Sequence, residues 1–144
     1  MTESEVQSHA IWVLGMHRSG TSAVTRVLNL LGVELGSHLM PAAAGNNETG
    51  FWEHAGIVEA HDALLHGLDR SWHDLRPLPN GWLRSDAAQV AKARLLALIE
   101  ADLAGAPLWA VKDPRLCRLL PLWREVLAEL GIEPCVVRVL RHPD

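Results

Sequence analysis

A chain of 144 residues with a formal net charge of −4, 49% apolar and 21% charged residues, is long enough for one domain with a real core and too apolar for disorder. The acidic balance excludes a general nucleic-acid-binding surface, so any anion site must be a local cluster of Arg, Lys and backbone N–H groups. No apolar run approaches the roughly 20 residues of a membrane helix, residues 1–10 do not resemble a secretory signal, and Cys117 and Cys135 make no disulfide framework. The expected setting is cytoplasmic and reducing, with both thiols acting as buried small apolar groups.

In chain order, residues 1–9 are polar and read as a flexible N-terminus ahead of one α/β domain over 10–144. Ala10–Leu14 is an apolar run that predicts a first strand. After the loop Gly15–Ser22, the spacing of Val24, Val27, Leu28 and Leu31 predicts a helix over 20–31, with Gly32 as its stop. Residues 33–50 form a long loop broken by Pro41 and Asn46-Asn47, of a length that is often functional. It ends in Thr49-Gly50-Phe51-Trp52-Glu53-His54. A second helix follows, with Ile57, His61, Leu64, Leu65 and Leu68 on one face; His61 reads as a hydrogen-bonded core histidine.

Residues 69–83 are irregular, marked by Pro77, Pro79, Asn80 and Gly81. Asp86 and Gln89 read as the N-cap and its partner three residues on for a third helix over about 86–104, which Gly105 and Pro107 end. Leu108–Val111 predicts a second strand leading into Lys112-Asp113-Pro114-Arg115. Leu116, Leu119, Leu120, Trp123, Val126, Leu127 and Leu130 share a helical face. Pro121 places the start of the regular helix at that residue, after a looser turn, and Gly131 ends it. Pro134–Leu140 is nearly all apolar and predicts a third strand covered on both faces. The chain stops at Asp144 directly after this run, which reads as the N-terminal part of a longer protein.

Strands alternating with helices argue for a parallel sheet, and in open α/β sheets ligands bind beyond the carboxyl ends of the strands. All three strands end in polar residues: the 15–22 loop, Lys112–Arg115, and Arg141-His142. These clusters are expected to converge on one edge. The sequence Gly15-Met16-His17-Arg18-Ser19-Gly20-Thr21-Ser22 suits a loop that wraps backbone N–H groups around a phosphate-like anion at a helix N-terminus. It departs from the nucleotide-triphosphate pattern G-x-x-x-x-G-K-[ST], because Thr21 stands where the lysine belongs. Arg18 supplies a cation instead.

Gly15–Ser22, Lys112-Asp113-Pro114-Arg115 and Leu140-Arg141-His142-Pro143 together resemble the sulfotransferases that use 3′-phosphoadenosine 5′-phosphosulfate (PAPS), bacterial members above all. The resemblance covers residues 11–143 and implies a P-loop-type parallel sheet flanked by helices, C-terminally truncated here. It implies that Gly15, His17, Arg18, Ser19, Gly20, Thr21 and Ser22 hold the donor's 5′-phosphosulfate, and that Arg141 holds its 3′-phosphate. The family's serine partner of that arginine would fall past Asp144. Arg18 and Lys112 would neutralise charge during sulfuryl transfer, with no metal required. The histidine that many animal members place two residues after the lysine is replaced by Pro114. The family's other solution, a carboxylate after the first helix, makes Glu53 the expected base for the acceptor, with His54 second. The acceptor would be a small molecule, glycan or lipid bearing a hydroxyl or amine, and Trp52 and Trp82 are candidates to line its pocket.

Plainer roles fit some of these residues. Lys112–Arg115 suits a polar strand end whose charges pair with each other on the surface, and Glu53 suits a helix first turn where the dipole favours a carboxylate. His54, His61, His66 and His73 do not make a zinc-binding H-E-x-x-H pair. Two other functions remain open at this point. One is a nucleotide kinase or NTPase with Asp113 as a metal ligand; the other is a non-catalytic nucleotide-binding or interaction domain.

Overall fold

The computed structural model describes residues 7–143; residues 1–6 of the expected flexible N-terminus, and Asp144, lie outside them. Three strands, β1 (His9–Leu14), β2 (Leu108–Lys112) and β3 (Pro134–Arg138), form one all-parallel sheet in the order β2-β1-β3. Among the described residues, four helices flank it: α1 (Thr21–Leu30), α2 (Ala55–Gly67), α3 (Asp86–Asp102) and α4 (Leu116–Glu129). The architecture is α/β, as expected from the alternating pattern.

The two-residue period of the strands sorts the core into two layers. Ala10 and Trp12 of β1, with Trp109 and Val111 of β2, join the buried faces of α2, α3 and α4 in the larger cluster. Ile11, Val13 and Ala110 point the other way and pack with Val33, Leu35 and the α1 residues Val24 and Leu28. The register pairs Val13 with Lys112 and Leu14 with Arg138, so the ends of all three strands fall at one level.

Helix ends follow local chemistry. α1 stops in a Schellman arrangement at Gly32 (φ +100°), with the Gly32 N–H donating to Asn29 O and the Val33 N–H to Leu28 O. α4 stops the same way at Gly131, with Ile132 N–H donating to Leu127 O. The apolar face expected for α2 is buried, His61 included.

Several expectations are corrected. The N-cap of α3 is Ser85, whose Oγ accepts from the Ala88 N–H; Asp86 is the first helical residue, and the Gln89 side chain donates to Leu83 O instead of closing a capping box. A serine one residue earlier competes for the same role, and its extended backbone suits it. α3 also ends two residues before the expected boundary. α4 starts at Leu116, ahead of Pro121, because Leu116 and Leu119 are anchored in the core; its entrance is tightened by Leu116 N–H to Asp113 O and Arg118 N–H to Arg115 O bonds.

β3 is shorter than expected and is not covered on both faces. Among the described residues it is an edge strand paired only with β1; Val137 packs under α1, while Val136 and Cys135 are exposed. Part of the expected 33–50 loop is sheet-like: the Glu34 N–H donates to Leu108 O and the Ala110 N–H to Glu34 O, lining the outer edge of β2. At the N-terminus, Ser8 is anchored between Ala106 O and the Trp109 indole, and β1 already includes His9. Trp82 packs against the larger core cluster from a short 3-10 turn. No helix among the described residues is long and apolar enough to cross a membrane.

Candidate functional site

The polypeptide leaves β1 at Leu14 and turns tightly before entering α1. Gly15 has no room for a side chain: a Cβ there would lie 2.6 Å from Thr21 Cγ2 and 3.0 Å from Val139 O. Arg18 (φ +65°) and Gly20 (φ +94°) both take the left-handed conformation, and the Ser19 N–H and hydroxyl both donate to Met16 O, pinning the loop. Among the described residues no side chain caps α1, so its first-turn N–H groups are left for an outside partner. The residues that carry them, Gly20 to Ala23, line a cleft of about 520 Å³.

Lys112 enters this cleft from the end of β2. It is only 4% exposed, and its ammonium donates to Glu53 Oε1 at 2.6 Å, Phe51 O at 3.0 Å and Ser22 Oγ at 3.1 Å. Glu53, 5% exposed, stands behind Lys112 and is not on the cleft wall. Burial pushes its carboxyl above the usual range, opposed by the charge and hydrogen bond of Lys112.

The segment 43–52 closes the remaining side. Asn47 donates to Ser22 Oγ, Arg18 donates to Asn46 O, and Arg26 lies 4.5 Å over the Trp52 ring. Arg18, Arg26 and Lys112 therefore line one cleft, and no Asp or Glu among the described residues lines it. Glu53 offsets the charge of Lys112, whereas neither arginine has an ion-pair partner among the described residues. In a chain of net charge −4, this is a local positive focus beside a helix N-terminus, a setting that favours an anion.

On the other side of the 15–20 loop lies a second cleft of about 530 Å³, lined by Gly15, Ser19, Arg138 and Arg141. Its walls share His17 and Arg18 with the first. Arg141 reaches the loop itself, its guanidinium donating to Arg18 O at 3.4 Å. The expected convergence of the strand ends is thus observed for Gly15, His17, Arg18, Ser19, Gly20, Thr21, Ser22, Lys112 and Arg141, divided between two adjoining clefts.

Below the site, Asp113 is fully enclosed. Trp123 Nε1–H donates to His61 Nε2 at 2.8 Å, so the imidazole proton sits on Nδ1 and is donated to Asp113 at 2.6 Å. Asp113 also accepts from the backbone and guanidinium of Arg115, which reaches on to Asp62. Burial pushes the Asp113 carboxyl up, yet the His61 hydrogen bond and the Arg115 contacts outweigh it and hold the value at about 2. His61 is the satisfied core histidine expected, and Asp113 and Arg115 do pair with each other, but in the interior and not on the surface as the plainer reading had it. Lys112 alone of that motif faces the cleft.

His17 sits on the crest between the clefts, its ring 5.0 Å from that of Trp72. Burial and then the Arg115 charge lower its proton affinity below the usual histidine value. His54 instead serves α2: Nδ1 accepts from Ile57 N–H, and Nε2 donates to Asp102 at 2.9 Å. Arg26, Asn46, Asn47 and Thr49 line the first cleft without having been expected there. Arg26 was within reach of sequence reasoning, since it lies four residues after Ser22 and so on the same helix face. The asparagines were not, because backbone turns at Gly45 and Gly50 bring them in. Among the described residues, no three His, Cys, Asp or Glu side chains stand together as a metal-ligand set. No family model, curated protein or solved structure matches the chain.

Proposed function

We propose that this chain binds PAPS and forms the donor-binding part of a sulfotransferase. The observation that carries the proposal is the acid-free cleft in which Arg18, Arg26 and Lys112 meet the uncapped N-terminus of α1. A second support is the adjoining cleft with Arg141, which gives a ligand with phosphates at both ends a cation at each. In this reading Gly20, Thr21, Ser22 and Arg18 hold the 5′-phosphosulfate, and Arg141 holds the 3′-phosphate. Bound there, the donor supplies a sulfuryl group whose bond to the 5′-phosphate oxygen breaks as the acceptor oxygen bonds to sulfur, the electron pair leaving with the bisphosphate.

The chain's residues position and neutralise. Ser22 and Lys112 are hydrogen-bonded to each other on the cleft wall, and with its three N–H groups given to Ser22, Phe51 and Glu53 the ammonium acts on the anion through its charge. Glu53 holds Lys112 in that pose; for Glu53 to take the acceptor's proton, the Lys112 contact has to open. The rival reading as a metal-dependent kinase relies on Asp113, and that carboxylate is spent on His61 and Arg115.

Calorimetric titration separates the two. Adenosine 3′,5′-bisphosphate is expected to bind with EDTA present, and Arg18→Ala or Lys112→Ala to weaken it at least about tenfold, as loss of a charge-assisted contact does. Binding of ATP only with Mg²⁺, and none of the bisphosphate, sinks the proposal.

A further inference from the structure

A third cleft, of about 390 Å³, opens on the far side of His17, between the 15–20 loop, the 69–76 segment and the start of α4. It falls within the size range of small-molecule sites. Its charged side chains are occupied elsewhere, and His73 meets the Ser71 hydroxyl through Nδ1. Arg118 donates to the carbonyls of Ser71, Asp74 and Arg76, and Asp74 is held by Arg76 at 2.6 Å. Arg115 is committed to Asp62 and Asp113. What the cleft offers a ligand is apolar surface: Met16 is 67% exposed, Trp72 49% and Leu75 96%. Three large apolar side chains left in water around one concavity, within a domain that buries Trp12, Trp109 and Trp123, mark a binding surface.

One polar side chain in this wall has no hydrogen-bond partner at either polar atom among the described residues. The imidazole of His17 makes no hydrogen bond among the described residues; its ring contact is the edge-on one with Trp72. His17 also lines the cationic cleft, so a ligand seated on Trp72 and reaching His17 arrives beside Arg18 and Lys112. We infer that this third cleft binds the acceptor, that the acceptor is a compact apolar alcohol, and that its hydroxyl donates a hydrogen bond to His17. A sugar or a charged acceptor is disfavoured, because the carboxylate and guanidinium groups that would recognise it are already paired. The lowered proton affinity of His17 keeps its ring neutral, and so able to accept, near neutral pH. The role as acceptor rests on the proposed sulfotransferase reading; the apolar site itself does not.

Methyl-detected NMR titration of the whole chain tests the inference with two probes, indan-2-ol and its hydroxyl-free counterpart indane. Indan-2-ol is expected to shift the Met16 and Leu75 methyl signals and to bind about fivefold more tightly than indane, the effect of one hydrogen bond. His17→Ala should erase that preference, and Trp72→Ala should weaken both probes roughly fivefold or more. A titration that leaves Met16 and Leu75 unmoved, or a hydroxyl preference that survives in His17→Ala, overturns the inference. Adenosine 3′,5′-bisphosphate is titrated in parallel. If it binds while indan-2-ol does not, the acceptor site is wrong and the donor reading stands; if indan-2-ol binds as expected and the bisphosphate does not, the apolar site stands and the acceptor role falls with the donor reading.

Discussion

The Lys112–Glu53 pair makes the sharpest test of how the cleft is built. Lys112→Met keeps most of the side chain's bulk and removes the ammonium. Glu53 then stays enclosed with no cation, and the Ser22 hydroxyl and Phe51 carbonyl each lose a donor. Breaking a buried ion pair by removing one partner costs about 3–5 kcal/mol when the remaining group stays charged. Protonation offers a cheaper route. Starting from an ordinary value of 4.5, neutralising the carboxyl near neutral pH costs about 3 kcal/mol, at about 1.4 kcal/mol for each pH unit.

The sign follows from linkage. With Lys112 gone, the folded-state value of Glu53 rises further above its unfolded value, so the folded variant binds more protons, and its stability falls as pH rises between the two. Urea unfolding should therefore show Lys112→Met destabilised by about 3–4 kcal/mol near neutral pH and by only about 1–2 kcal/mol near pH 5. Adding Glu53→Gln should recover about 2 kcal/mol at neutral pH and remove the pH dependence. A loss under about 1 kcal/mol that is the same at both pH values would refute the claim that Glu53 is charged and enclosed beside Lys112.

Five further substitutions probe single features by the same unfolding measurement. Gly15→Ala should cost about 1–3 kcal/mol, because two of the nearest atoms to its Cβ are fixed in the loop and in the backbone of Val139; a neutral result means the 15–20 loop can move aside. Trp12→Phe should stay within about 1 kcal/mol of wild type, since the buried indole N–H it removes has no hydrogen-bond partner, and a loss above about 3 kcal/mol contradicts that. Asp113, held at about 2 against an ordinary 3.8, contributes stability that is complete above the higher value and is lost as pH falls toward the lower one. Asp113→Asn should abolish on the order of 2 kcal/mol of that acid-dependent change, and an unaltered acid limb rejects the assignment. Ser85→Ala should cost about 1 kcal/mol and Asp86→Ala less; the reverse order would restore Asp86 as the cap of α3.

What the sequence made legible and what it hid divide along one physical line. Local patterns are legible, so the apolar run of β1 and the buried face of α2 could be read off the chain, whereas the split of β1 between two core layers appears only in the fold. Glycine at a left-handed position is local too, which is why Gly32 and Gly131 end their helices as expected. Whether an apolar strand has neighbours is not local. The run from Pro134 onward looks the same in the middle of a sheet or at its edge, and only the order β2-β1-β3 tells them apart. Pro121 misled for a related reason, since the rule that places proline at a helix start is weaker than the burial of Leu116 and Leu119 one turn earlier.

The site divides the same way. Its glycines, hydroxyls and cations stood out because strand ends in a parallel sheet must converge, so Gly15–Ser22, Lys112 and Arg141 needed no side-chain geometry to be brought together. Glu53 did need it. The sequence offered a carboxylate after the first helix, but only the fold shows its oxygen 2.6 Å from an ammonium 59 residues away. That contact changes the chemistry open to the residue. A carboxylate already holding a buried lysine is a poor proton acceptor until the lysine leaves, whereas the imidazole of His17 needs no such release. Under the proposed function, which group would meet an acceptor's proton turns on which one is uncommitted, a property set by packing that no motif encodes.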